Sequence, residues 1–120
     1  MKDKRQLIGK WGEQKAKEFL LKKGYTLIAE NWRFRYGELD LIMLDQDQET
    51  VVFVEVRTKT SSSYGAGYDS LNHRKLQKLR ITAKAFLHSN KWWNRPVRFD
   101  LISIDQENEG FKLRHLKNII

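Results

Sequence analysis

Four charged residues on two apolar segments are where chemistry is to be sought in this chain. Glu38 and Asp40 lie in Glu38-Leu39-Asp40-Leu41-Ile42-Met43-Leu44, and Glu55 and Arg57 in Val51-Val52-Phe53-Val54-Glu55-Val56-Arg57. Both segments are rich in strand-favouring residues. Residues two apart on a strand share a face, so Glu38 would point with Asp40, and Glu55 and Arg57 with Val51 and Phe53. The polar stretch Asp45 to Thr50 joins the segments into a hairpin. A turn centred on Asp47 and Gln48 sets Asp40 opposite Glu55 and Glu38 opposite Arg57. Opposed side chains have Cβ atoms roughly 4.5–5.5 Å apart, where like charges destabilise. A buried carboxylate must therefore take up a proton, pair with a cation such as Arg57, Lys59 or Arg98, or share a metal ion. Ion pairing alone would make these charges structural. A hard divalent cation would serve both carboxylates, since Mg²⁺ takes one or two of them, keeps waters and uses phosphate oxygens for the rest. The natural reaction is then phosphodiester hydrolysis.

The elements that must position these groups follow from periodicity. Leu7, Ile8, Trp11, Ala16, Phe19 and Leu20 recur at helical steps, so Lys4 to Lys23 reads as an amphipathic helix stopped by Gly24. A β-like run begins at Tyr25 to Ile28, and the hairpin follows. Thr58 to Ser70, with four Ser and two Gly, reads as a loop carrying Tyr64 and Tyr68. Leu71, Leu76, Leu79, Ala83, Phe86 and Leu87 mark a second helix. A polar turn, Ser89 to Pro96, leads to strand candidates at Val97 to Ile104 and Phe111 to Leu116. The order α-β-β-β-α-β-β predicts one α/β domain over residues 1–120, with helices packed on a mixed sheet.

Composition narrows the partners. The chain has 23 Lys plus Arg against 15 Asp plus Glu, a formal charge of +8, which favours a polyanion such as nucleic acid. Having no cysteine excludes disulfides, thiolate zinc sites and cysteine nucleophiles, and fits a cytoplasmic setting. No window approaches the roughly 18 apolar residues of a membrane span. The 14 aromatic residues are too many for a disordered chain.

Helix two carries Arg74, Lys75, Lys78, Arg80 and Lys84, either a phosphate-binding face or a solvated one. Arg33, Arg35 and Lys59 extend the basic candidates. Two aromatic-basic clusters, Asn31 to Tyr36 and Lys91 to Arg95, could stack on unpaired bases or supply core and dimer contacts. Gly65-Ala66-Gly67 is not a dinucleotide fingerprint, and there is no phosphate-loop motif and no nucleophile elbow. His73, His88 and His115 are too scattered for a zinc site and read as surface or packing residues.

Gly37 to Ile42 (GELDLI) followed by Val52 to Lys59 (VFVEVRTK) resembles the D…(D/E)-x-K metal signature of restriction-endonuclease-like nucleases. More closely, the chain is similar to the YraN-like family of small bacterial proteins, viewed as distant relatives of archaeal Holliday-junction resolvases. The likeness runs from Gly9 to about Ile119. It takes in Gly9 to Glu13 (G-x-x-G-E), Gly24-Tyr25, Asn31 to Arg33 (N-x-R), both strand motifs, Lys75, and Arg98 to Asp100 (RFD).

The resemblance implies a restriction-endonuclease-like core and a Mg²⁺ (or Mn²⁺) site. It makes Asp40 and Glu55 metal ligands, with the Val56 carbonyl as a further one and Glu13 contributing from helix one, unless Glu13 is an ordinary surface glutamate. Arg57 stands where the signature has lysine. An arginine stays protonated and can stabilise phosphate charge, but it is no general base. Lys59 or Lys75 would then fill the lysine role, and Glu38 would orient Arg57 or a water, or form a plain cross-strand ion pair. The implied activity is metal-dependent cleavage of branched or structured DNA, in repair or recombination, with a homodimer as the expected assembly. The competing expectations are a nucleic-acid-binding module that keeps the fold without cutting, and an adaptor acting through its tryptophan-rich turn.

Overall fold

A computed structural model describes residues 3–35, 37–60 and 72–120. Helix α1 spans Lys4–Lys22 and is started by a capping box, in which Asp3 and Gln6 each accept from the other's backbone N–H. It ends at Lys23, and Gly24 follows at φ +92°, as a left-handed stop requires. Its buried residues Gly12, Ala16 and Leu20 recur every four positions and form a narrow inward stripe. Helix α2, His73–Ser89, is capped by Asn72, whose side chain accepts from the Lys75 N–H. Among the described residues, no helix is long and apolar enough to cross a membrane.

Five strands complete the expected order: β1 Thr26–Phe34, β2 Gly37–Leu44, β3 Val51–Lys59, β4 Val97–Glu107 and β5 Gly110–Leu116. They form one mixed sheet in chain order, antiparallel throughout except β3 with β4. That parallel pair needs a crossover, which contains α2. The α/β architecture and the α-β-β-β-α-β-β order are those read from the sequence, consistent with a restriction-endonuclease-like core.

The helices cover opposite faces. Ala16 and Leu20 of α1 pack with Leu41, Met43, Val52, Val54, Ile102 and Ile104. Ala83 and Phe86 of α2 pack with Leu39, Ile42, Val51 and Phe53. Phe86 takes Trp32, Phe53 and Trp92 edge-to-face at 5.2, 6.0 and 6.0 Å. Trp32 and Trp92 are thus core residues, whereas Trp93 is exposed.

Differences from the sequence reading concern element ends. β1 runs on to Phe34, and β3 takes in Thr58 and Lys59, which the sequence placed in the loop. Tyr36, Leu71 and the rest of that loop, with Tyr64, Tyr68 and Gly65-Ala66-Gly67, lie outside the described residues.

Candidate active site

The β2–β3 ladder runs from Leu44↔Val51 to Leu41↔Val54, the register expected from a turn about Asp47 and Gln48. The next residues are Asp40 and Glu55, so the two carboxylates stand where the ladder ends. Asp40 Oδ2 accepts from the Val56 N–H at 2.9 Å. Each of the two carboxyls shifts the other's titration, as only close neighbours do. A strand residue's N–H and C=O leave toward the same neighbour, so the Val56 carbonyl faces the same opening.

The electrostatics record what this convergence costs. Burial, and then the Asp40 charge, push Glu55 up to about 8. Asp40 is also raised, chiefly by burial, although the Val56 N–H and Arg57 oppose the shift. Glu13, on α1, rises to about 7 through burial first and then through Asp40 and Glu38. Three carboxyls drawn above their ordinary range around one opening form a site where protons or a cation must offset excess negative charge.

Basic groups answer from the α2 side. Arg57 Nη2 pairs with Glu55 at 3.2 Å, and Lys75 acts on the same carboxyl. Arg57, Lys75, Lys78, Glu38 and Glu55 line one cleft with Gly37 and Thr82. On the α1 side a second hollow, of about 440 Å³, is lined by Glu13, Asp40, Glu55, Val56 and Thr58. Glu55 and Arg57 belong to both. Among the described residues the buried Nε of Arg57 finds no acceptor.

One expectation is corrected. The hairpin register does not extend to Glu38: the paired ladder stops at Leu41↔Val54, and the alternation of β2 breaks between Leu39, which packs with α2, and Leu41, which packs with α1. The cause lies in β1. Asn31 takes φ +51°, so that Glu30 and Asn31 both turn to α1, pairing with Lys17 and Glu13, before Trp32 returns to the α2 side. Register places Asn31 beside Asp40, between Glu30↔Leu41 and Trp32↔Leu39. Glu38 consequently meets its β1 partner Arg33 at 3.1 Å, as a cross-strand ion pair, and is not paired with Arg57 as the extended hairpin register expected.

Other predicted residues divide by position. Lys75 and Lys78 enter the cleft, whereas Arg74 is exposed and Lys59 lies in register with Asp105 of β4. Arg35 stacks over Phe34. Asn31, which donates to Glu13 Oε1 at 3.0 Å, was not singled out as a functional residue. Its signal was an Asn inside a strand, the residue type that best tolerates positive φ.

Two glycines set how closely the helices approach. A Cβ on Gly12 would lie 1.8 Å from Thr58 Oγ1, and one on Gly37 would lie 2.2 Å from Thr82 Oγ1. The first lets α1 lie on β3, the second lets α2 lie on β2, on either side of the carboxylates.

Another charged cluster is structural. Asp100, fully buried, accepts from Arg98 Nε at 2.9 Å and Nη2 at 3.0 Å, from His115 Nε2 at 2.7 Å, and from the Asn118 N–H at 3.1 Å. Arg98 also binds Asp45 and the Tyr25 hydroxyl. His115 packs edge-on to Phe19 and Tyr25, as a packing histidine should.

Among the described residues, no group of three or more His, Cys, Asp or Glu side chains is placed to hold an ion. Asp40, Glu55 and the Val56 carbonyl supply three hard oxygens and leave the remaining positions to water and substrate, a donor set that suits Mg²⁺ or Mn²⁺.

These features define a mixed α/β protein with a paired-carboxylate, arginine-flanked cleft at the point where two central strands part. The chain belongs to the Uncharacterised protein family UPF0102, whose model matches residues 12–104. It is 45% identical to a UPF0102 protein of Pseudomonas fluorescens, over 92% of this chain and 89% of that one. A relative from Pseudomonas syringae is 47% identical over 86% and 83%, and one from Persephonella marina 42% over 92% and 90%.

Proposed function

We propose that the protein is a metal-dependent endonuclease that hydrolyses phosphodiester bonds in DNA, with branched or otherwise structured DNA as its substrate. The reading is carried by one observation: Asp40 and Glu55 converge beyond the last rung of the β2–β3 ladder, with Arg57 and Lys75 beside them. Likeness of the sheet to the restriction-endonuclease core and kinship with the resolvases belong to the same proposal.

Asp40, Glu55 and the Val56 carbonyl would hold the ion, and Asn31 keeps Glu13 turned toward them. A divalent cation held there supplies Lewis acidity toward the phosphoryl oxygen and acidifies water at neutral pH. Arg57, which pairs with Glu55 and lines both hollows, would stabilise charge on a phosphate oxygen, and Lys75 and Lys78 add positive charge along the cleft. No lysine takes Arg57's place on β3, so Arg57 stabilises charge and the attacking water's proton leaves by another carrier, for which Glu13 stands half-buried at the opening.

The test is cleavage of labelled branched, flap and linear DNA with Mg²⁺ or Mn²⁺. Wild-type protein should cut at least one substrate, and Asp40→Ala and Glu55→Ala should abolish cutting. Binding that survives both substitutions, with no cleavage of any substrate, would instead make it a non-cutting nucleic-acid-binding module.

A further inference from the structure

The β1 end beside the cleft carries an exposed aromatic ring. Phe34 is 38% exposed and stacks on Trp32 at 6.0 Å and 4°, so the partly buried indole, packed on the core, fixes the plane of the outer ring. Arg35 lies over the ring, its Cζ 5.4 Å from the centroid. Ile81, 60% exposed, forms with Phe34 a small apolar hollow that Lys78 and Thr82 complete. Those two residues also line the cleft of Glu55, Arg57 and Lys75. Across the ladder Phe34 faces Gly37, a wall residue of that cleft with no side chain to stand between ring and cleft.

The hollow holds about 40 Å³, room for the edge of one flat group laid against the ring. It is rimmed by cations and continuous with a cleft suited to phosphate, so the group should be tethered to phosphate. A nucleobase meets both conditions, because every base has a π-face to stack while its backbone meets lysine and arginine. A paired base inside a duplex has no free face, so the occupant must be unstacked.

We propose that Phe34, with Arg35, Ile81 and Lys78 around it, is a stacking platform for an unpaired nucleobase of the strand whose phosphate enters the Arg57–Lys75 cleft. The site therefore takes nucleic acid with single-stranded character. The inference rests on the nuclease reading for the phosphate's place, but its test does not depend on cleavage.

Binding is measured by fluorescence anisotropy, in EDTA, to an end-labelled single strand, a flap and a blunt duplex. A 2-aminopurine scan along the single strand reports stacking. Wild-type protein should bind the single strand and flap more tightly than the duplex, with 2-aminopurine quenched at one position. Phe34→Leu should weaken single-strand binding roughly tenfold, the order of one base–aromatic stack, lose the quenching, and leave duplex binding within about twofold since its phosphate contacts are untouched. Phe34→Tyr should restore both signals. Equal loss on all three substrates, no loss on any, or a wild-type preference for duplex would overturn the platform. Should Phe34→Leu fail to fold, abasic substitutions along the strand decide with wild-type protein: one sensitive position supports the platform and none overturns it. Stacking without cleavage by the wild type keeps the platform and removes the nuclease, whereas cleavage that Phe34→Leu leaves unchanged, on substrates it binds normally, does the reverse.

Discussion

The Asp40 carboxylate accepts the Val56 N–H at 2.9 Å, a side-chain rung placed where the backbone ladder of β2 and β3 has stopped. It spans the parting strands and holds Asp40 against Glu55. One carboxylate is thereby fixed by the strand that carries the other, a geometry that a single ion can exploit and that two bare charges resist.

That resistance predicts an unusual pH profile. Glu55 rises from an ordinary value of 4.5 to about 8, and Glu13 to about 7, so the folded chain holds protons that the unfolded chain releases. Stability is then full below the unfolded values and is lost as pH rises through the folded ones. The melting temperature without metal should fall between about pH 5 and pH 9. Glu55→Gln should flatten that decline and melt higher than wild type at the alkaline end. Circular dichroism melts across pH measure it; an unchanged slope in the variant would show that Glu55 is not the group responsible.

Metal should act in the opposite sense. An ion held by Asp40 and Glu55 replaces their protons, so Mn²⁺ or Mg²⁺ should raise the melting temperature more at pH 8 than at pH 5, by about 2.7 kcal/mol of stability at a hundredfold excess over Kd. The rise should vanish in Asp40→Ala and Glu55→Ala. Thermal shift titrations with each ion give the comparison, and equal shifts in wild type and variants would place the ion elsewhere.

Arg57 separates charge from hydrogen-bond geometry. Arg57→Ala removes the cation paired with Glu55 and should reduce cleavage about 10²–10³-fold, the cost typical of losing one transition-state donor. Arg57→Lys keeps the charge but loses the planar fork and should fall between wild type and Ala. Single-turnover rates at saturating protein are the measurement. A lysine variant faster than wild type would mean that the position works through a titratable amine.

The close approach of α1 is open to a paired substitution. Gly12→Ala puts a methyl 1.8 Å from Thr58 Oγ1 and should cost about 1–3 kcal/mol through a displaced helix, lowering cleavage by moving Glu13. Adding Thr58→Ala removes that oxygen and should recover part of both losses. Urea unfolding and cleavage rates follow the pair; additive losses would argue against the contact.

Most of this frame was legible in the sequence because it rests on local patterns. The hairpin turn fixed the register from Leu41↔Val54 to Leu44↔Val51, and Gly24 stops α1. What escaped depends on backbone and distant partners. An unbroken hairpin puts Glu38 opposite Arg57, but the ladder stops at Leu41↔Val54, beside the left-handed Asn31 of the neighbouring strand, and Glu38 pairs with Arg33. The turn at Asn31 decides that Trp32 is core and Phe34 surface, which composition cannot distinguish. Asp100 reads as an ordinary strand aspartate, because Asp45 reaches its network from the β2–β3 turn and His115 and Asn118 from the C-terminal stretch.

That network supplies the last prediction. Asp100 has no exposure, and its carboxyl is held below the usual range by His115, Arg98 and the Asn118 N–H, against the opposing effect of burial. Asp100→Asn leaves a half-buried guanidinium with Asp45 as its remaining carboxylate, and removing one partner of a buried pair costs at most about 3–5 kcal/mol. Because the lowered Asp100 value makes its contribution present above the unfolded pKa and lost on acidification, the variant's deficit should be large at neutral pH and shrink toward acid. Cleavage per folded molecule should stay within about twofold of wild type, since no member of the network lines either hollow at Glu55. Urea titrations at neutral and acid pH, with rates normalised to the folded fraction, separate the two effects; a rate loss exceeding the folding loss would tie this end of the sheet to the chemistry.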